Sequence, residues 1–197
     1  MESIIVTKHG DPDCMELQKF PTPSPGTGEI CIRVSKAGIN FADILARMGL
    51  YPGAPNPPFT PGMEVSGTVH EVGPDVNNFK VGDRVISNGA HSEIVLVPEN
   101  LCSKIPDNVS DEEAAFTILA SIGLQGIRLA KPTFGETFIV SGLGMIGILT
   151  CQILQNNGCN VIALEPNLDR CKLAKDFKIN AYCLKNEIDT INFLMEV

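Results

Sequence analysis

Gly142, Gly144 and Gly147, in the run Gly142-Leu143-Gly144-Met145-Ile146-Gly147, have the spacing that suits pyrophosphate binding. Each glycine answers a separate demand. Gly142 permits a tight turn, Gly144 lets phosphate oxygens approach the backbone, and Gly147 lets the following helix pack close to the preceding strand. The start of that helix offers unpaired N–H groups and a positive dipole end to the anion. A carboxylate about twenty residues further on is expected to hold the adenosine ribose hydroxyls, and Glu165 closes the apolar run Asn160–Leu164. Arg170, close behind it, is a side chain that can accommodate a 2′-phosphate. The competing account is a glycine-rich turn in an ordinary α/β protein. The acidic strand end and the strand–turn–helix context favour the nucleotide.

The elements that must position these residues are legible. Thr137–Ser141 is β-branched and apolar and reads as a buried strand, followed after the glycines by an apolar helix over Ile148–Gln155. Asn160–Leu164 reads as a second strand, Leu168–Phe177 as a helix and Ala181–Leu184 as a third strand, the alternation of a parallel sheet. The first hundred or so residues differ. Glu29–Ser35 alternates, with Ile30, Ile32 and Val34 on one face and Cys31 and Arg33 on the other. Val65–Val72, Val85–Ile86 and Glu93–Val97 are further strands between dense Pro/Gly turns, and one helix spans Phe41–Met48. A capping-box pattern at Ser110–Glu113 opens a helix running from Ala114 towards Ala130, within which Gly123 and Gly126 are weak helix formers.

Composition excludes several classes. With 197 residues and 44% hydrophobic content, a core can form without disulfides. A formal net charge of −8 with no basic cluster argues against nucleic acid and anionic membranes as partners. The seven cysteines include no Cys-x-x-Cys pair and read as reduced thiols of a cytoplasmic protein. The chain opens as a strand, with no signal-peptide pattern, and no apolar run is long enough to cross a bilayer.

With both halves in place, the chain resembles the medium-chain dehydrogenase/reductase superfamily. The resemblance rests on Ala37–Asp43, Arg47–Pro52, Pro61–Gly67, Val81–Val85, Glu112–Ala115 and the glycine run, in that order. It implies an α/β two-domain fold: a GroES-like β domain over residues 1–120, then over 121–197 the N-terminal half of a Rossmann domain, a doubly wound parallel sheet. Asn40 and Asp43 followed by Gly49–Pro52 are similar to the zinc-free quinone oxidoreductases and enoyl reductases. The glycine run and Glu165 look more like the alcohol and polyol dehydrogenase branch.

The resemblance also implies the chemistry. Zinc-dependent relatives need ligands where this chain has Asn40, Met63 and, by a rougher match, Ile118; an amide, a thioether and an alkyl group do not hold zinc. Without that Lewis acid, hydride addition from NAD(P)H to a quinone or a conjugated enone or enoyl substrate is the expected reaction. Tyr51 is then the candidate donor to the developing oxyanion, and Asn40 the residue that orients substrate or nicotinamide. The non-catalytic account makes Asn40 and Asp43 helix caps and Tyr51 a loop packing residue. Glu165 favours NAD(H), since a carboxylate repels a 2′-phosphate.

A full dinucleotide fold orders its strands 3-2-1-4-5-6. Three strands are readable here before the amphipathic segment 187–197, so the expectation is a truncated fold in which Thr137–Ser141, normally central, leaves an open edge that invites self-association. A non-catalytic nucleotide-binding or structural protein is the alternative function.

Overall fold

The computed structural model describes residues 1–184 and 186–196. They form two compact units, Met1–Ile118 and Leu119–Val197.

The first unit is a β domain. β1 (Glu2–Val6) and β2 (Met15–Lys19) form an antiparallel hairpin. β3 (Glu29–Ala37) is followed by the short helix α1 (Phe41–Arg47), then β4 (Val65–Val72), β5 (Arg84–Ser87), β6 (Ile94–Pro98) and β7 (Ser103–Lys104). The larger sheet is antiparallel in the order β6-β3-β4-β5-β7. Ile30, Ile32, Val65, Val69, Val85, Val95 and Val97 fill its core, as the alternation of β3 requires. Arg33 is exposed, but Cys31, expected beside it on the outer face, is fully buried. The proline-rich segment before β3 covers that face there: the Cys31 thiol donates to the Pro23 carbonyl at 3.3 Å.

The helical region 111–130 is two helices rather than one. α2 (Asp111–Ala114) is capped by Ser110, whose hydroxyl accepts the Glu113 N–H at 3.2 Å while the Glu113 carboxylate accepts the Ser110 N–H at 2.9 Å. The chain turns at Ala115–Phe116, and α3 (Thr117–Ala130) starts where the Thr117 hydroxyl donates to the Ala114 carbonyl at 2.7 Å. As the sequence reading of a helix towards Ala130 expects, α3 runs unbroken through Gly123 and Gly126. Gly123 serves packing: a Cβ there would lie 2.4 Å from the Thr150 hydroxyl.

The second unit alternates β8 (Thr137–Ser141), α4 (Met145–Asn156), β9 (Asn160–Glu165), α5 (Leu168–Asp176), β10 (Asn180–Cys183) and α6 (Glu187–Glu196). Its three strands are parallel in the order β10-β9-β8, so the first, second and third strands of a dinucleotide fold are ordered 3-2-1. Leu143, Cys151, Leu154, Val161, Ala163 and Ala174 lie at the centre of its core. Among the described residues β8 is an edge strand, with Ile139 48% exposed. No described helix is long and apolar enough to cross a membrane.

Candidate nucleotide and substrate sites

The glycine run forms the turn between β8 and α4, and its three glycines do different work. Gly142 sits at φ +91°, a left-handed conformation that a side chain would strain, and its N–H donates to the Leu164 carbonyl at 2.7 Å. Gly144 is the cap residue of α4, and a Cβ there would meet nothing within 4 Å: the space over this backbone is open. Gly147 is the reverse. A Cβ there would fall 1.9 Å from the Gly142 carbonyl oxygen, so glycine lets the first helical turn close onto the loop. The first bond of the helix is Ile148 N–H to the Gly144 carbonyl at 3.0 Å. The N–H groups of Met145, Ile146 and Gly147 therefore precede the hydrogen-bonded ladder, as at any helix start. The side chains of Met145 and Ile146 are exposed, whereas Leu143 is buried in the core and only its backbone faces the turn.

Glu165, at the end of β9, is only 3% exposed. One carboxylate oxygen accepts the Leu143 N–H at 2.7 Å and the other accepts the Asn167 N–H at 2.9 Å. Arg170 approaches the same carboxylate at 3.9 Å from the exposed side, while the Asn167 side chain caps α5 by accepting the N–H groups of Asp169 and Arg170. The open space at Gly144, the unladdered N–H groups of α4 and a carboxylate at the second strand end together fit the adenosine and pyrophosphate half of a dinucleotide.

In the β domain, Asn40 precedes α1. Its N–H donates to the Asp43 carboxylate at 2.8 Å, and its side-chain amide donates to Glu64 at 3.1 Å. Glu64 is 1% exposed, and Gly38 makes its space: a Cβ at 38 would fall 2.1 Å from the carboxylate. Asn40 and Asp43 also form the capping box that opens α1, so the Asn40 side chain is set between Glu64 and the start of that helix. Tyr51 is 38% exposed, and its hydroxyl bonds to no described residue.

His91 lies 3.6 Å from the Asp43 carboxylate. Burial alone would raise the Asp43 carboxyl, but hydrogen bonds from His91 and from the N–H groups of Asn40 and Gly62 outweigh it and hold the group below its ordinary value. An apolar cavity of about 530 Å³ opens beside this pair, lined by Ile4, Met15, Ile39, Ile44 and Pro61.

At the positions matched to zinc ligands, the Asn40 amide is committed to Glu64 and Ile118 packs against the cluster of Ile86, Ile105 and Ala114. With the Met63 thioether, these donors do not suit zinc. Among the described residues no group of three or more His, Cys, Asp or Glu side chains is gathered as a metal site.

Residues 26–107 match the alcohol dehydrogenase GroES-like domain. A quinone oxidoreductase of Pseudomonas aeruginosa is 33% identical over 176 residues, covering 85% of this chain and 53% of that protein. The human synaptic vesicle membrane protein VAT-1 homolog is 35% identical over 169 residues, covering 79% of this chain and 42% of its own. Among solved structures, the Escherichia coli quinone oxidoreductase complexed with NADPH superposes with a TM-score of 0.84 at 28% identity, covering all of this chain and 62% of that one. The chain thus spans about half the length of the curated relatives it matches.

Proposed function

Since the chain belongs to the medium-chain dehydrogenase/reductase superfamily, with a quinone oxidoreductase-like fold, we propose that it serves an NAD(P)H-dependent reductase of quinones or conjugated enone and enoyl substrates. The observation that carries this reading is the turn at Gly142–Gly147 braced by Glu165, with open space over Gly144. The nucleotide, when bound, supplies a hydride.

The chain's own residues divide the remaining work. The N–H groups opening α4 receive the pyrophosphate. Leu143 contributes its backbone to Glu165 and its side chain to the core, so it shapes the turn. The Glu165 carboxylate accepts a ribose hydroxyl through lone pairs left by Leu143 and Asn167, and it disfavours a 2′-phosphate, which makes NADH the preferred form. Arg170 is the group able to moderate that preference. Hydride arriving at the β-carbon of an enone pushes charge onto the carbonyl oxygen. Tyr51, with its hydroxyl uncommitted, donates to that oxyanion, and Asn40, fixed by Glu64, orients the reacting partner. This route uses no zinc.

Following NADH or NADPH absorbance with a simple quinone and with a conjugated enone tests the reading. Oxidation dependent on the acceptor supports it; nucleotide binding without turnover favours a second reading, a non-catalytic nucleotide-binding protein. Self-association draws on the β8 edge, where among the described residues Ile139 is half exposed. Size-exclusion chromatography tests the self-association.

A further inference from the structure

All seven cysteines are free thiols, and two of them meet at the turn that follows Glu165. Cys171 lies on α5 and is buried; its thiol donates to the Glu165 carbonyl at 3.4 Å. Cys183 ends β10, half-buried and directly opposite Glu165 in the parallel register; its thiol reaches the Pro166 carbonyl at 3.6 Å. The two sulfurs thus sit on consecutive carbonyls of one turn. Burial first, and then Cys183 nearby, pushes the Cys171 thiol up. Cys183 lies across from Glu165 in the parallel ladder, where neighbouring strands are about 4.8 Å apart, and the Cys171 thiol bonds the carbonyl of that same Glu165, so both thiols are brought to one turn.

We propose that Cys171 and Cys183 form a dithiol modification site that a hydroperoxide closes to a disulfide across the Glu165–Pro166 turn. Cys183, the more accessible thiol, reacts first. Its thiolate sulfur attacks a peroxide oxygen, the O–O bond breaks, and the sulfur becomes a sulfenic acid as water leaves. The Cys171 sulfur then attacks the Cys183 sulfur. The S–S bond forms, the S–O bond breaks, and the departing hydroxide takes the Cys171 proton as a second water. Two thiols and one hydrogen peroxide give one disulfide and two waters; the sulfurs lose two electrons and the peroxide gains them.

Closure removes both thiol donors from the turn. The Glu165 carbonyl keeps the Leu184 N–H at 3.2 Å, while the Pro166 carbonyl loses its thiol. In the nucleotide reading above, this turn carries the ribose carboxylate. The disulfide itself needs no nucleotide, so its failure and the failure of that reading are separable.

The test uses the native, fully reduced chain treated with hydrogen peroxide, alkylated, and analysed by intact mass and non-reducing peptide mapping. The expected first product has lost two hydrogens, contains a peptide linking Cys171 to Cys183, and reverts with dithiothreitol. Cys183→Ser should abolish the link and Cys102→Ser, which alters the other half-buried thiol, should not. Full alkylation of Cys171 and Cys183 while other cysteines oxidise would overturn the proposal. So would passage of Cys183 to sulfinic acid with Cys171 still free.

Discussion

The Glu165 carboxylate accepts the Leu143 N–H at 2.7 Å, tying the end of the second parallel strand to the middle of the glycine turn. The residue placed to read ribose is therefore also a brace for the loop that receives the pyrophosphate. Glu165→Gln keeps one acceptor oxygen but turns an NH₂ group towards one of its two backbone donors. The expected cost is about 1–3 kcal/mol, read as a lower denaturation midpoint without nucleotide, together with weaker NADH binding. An unchanged midpoint would remove the bracing role.

Gly144 and Gly147 should separate binding from folding. Gly144→Ala adds a Cβ into open space, so stability should hold while NADH affinity falls roughly tenfold or more, the loss of close phosphate approach. Gly147→Ala drives a Cβ into the Gly142 carbonyl and should cost about 1–3 kcal/mol of stability. Calorimetric unfolding beside nucleotide titration distinguishes the two outcomes.

Tyr51→Phe, made in a full-length protein carrying this β domain, should lower kcat about a hundredfold or more and leave nucleotide affinity intact. That is the typical effect of removing one donor to a developing oxyanion. An unchanged rate would make Tyr51 a packing residue.

Acid stability should follow Asp43 and Asp111. Both are held below the ordinary aspartate value of 3.8, Asp111 by Ser35 first and Arg84 next. For a carboxyl depressed in the fold, the stabilisation is present above the unfolded value. It is lost as pH falls from there through the folded value, because the unfolded chain takes up protons first. Denaturant midpoints followed from neutral pH downwards should therefore drop below about pH 4. Asp43→Asn should lower the neutral plateau and shrink that drop. An unchanged acid limb in the variant would show that the His91 pairing contributes nothing to it.

Elemental analysis of the purified chain should find zinc well below one per chain, since Asn40, Met63 and Ile118 provide no suitable donor set. A tightly held stoichiometric zinc would overturn the zinc-free mechanism.

Local order was legible in the sequence because it is local physics. The β-branched run Thr137–Ser141, the glycines after it and the acidic end of the next strand specify strand, turn and helix through short-range sterics and periodicity, and β8, α4 and β9 follow from them. The resemblance likewise rested on short motifs in order. Where the sequence misled, covering or capping from elsewhere was responsible: the segment at Pro23 buries Cys31, and the Thr117 hydroxyl restarts a helix that periodicity ran together. The pairings that give the sites their chemistry came only from tertiary structure. His91 reaches Asp43, Glu64 holds the Asn40 amide, Arg84 pairs with Asp111, and the thiols of Cys171 and Cys183 reach consecutive carbonyls at Glu165 and Pro166. Each joins residues from separate elements. Sequence periodicity reports which face of one element is apolar, whereas strand register and helix packing decide which side chains of different elements come within hydrogen-bonding distance.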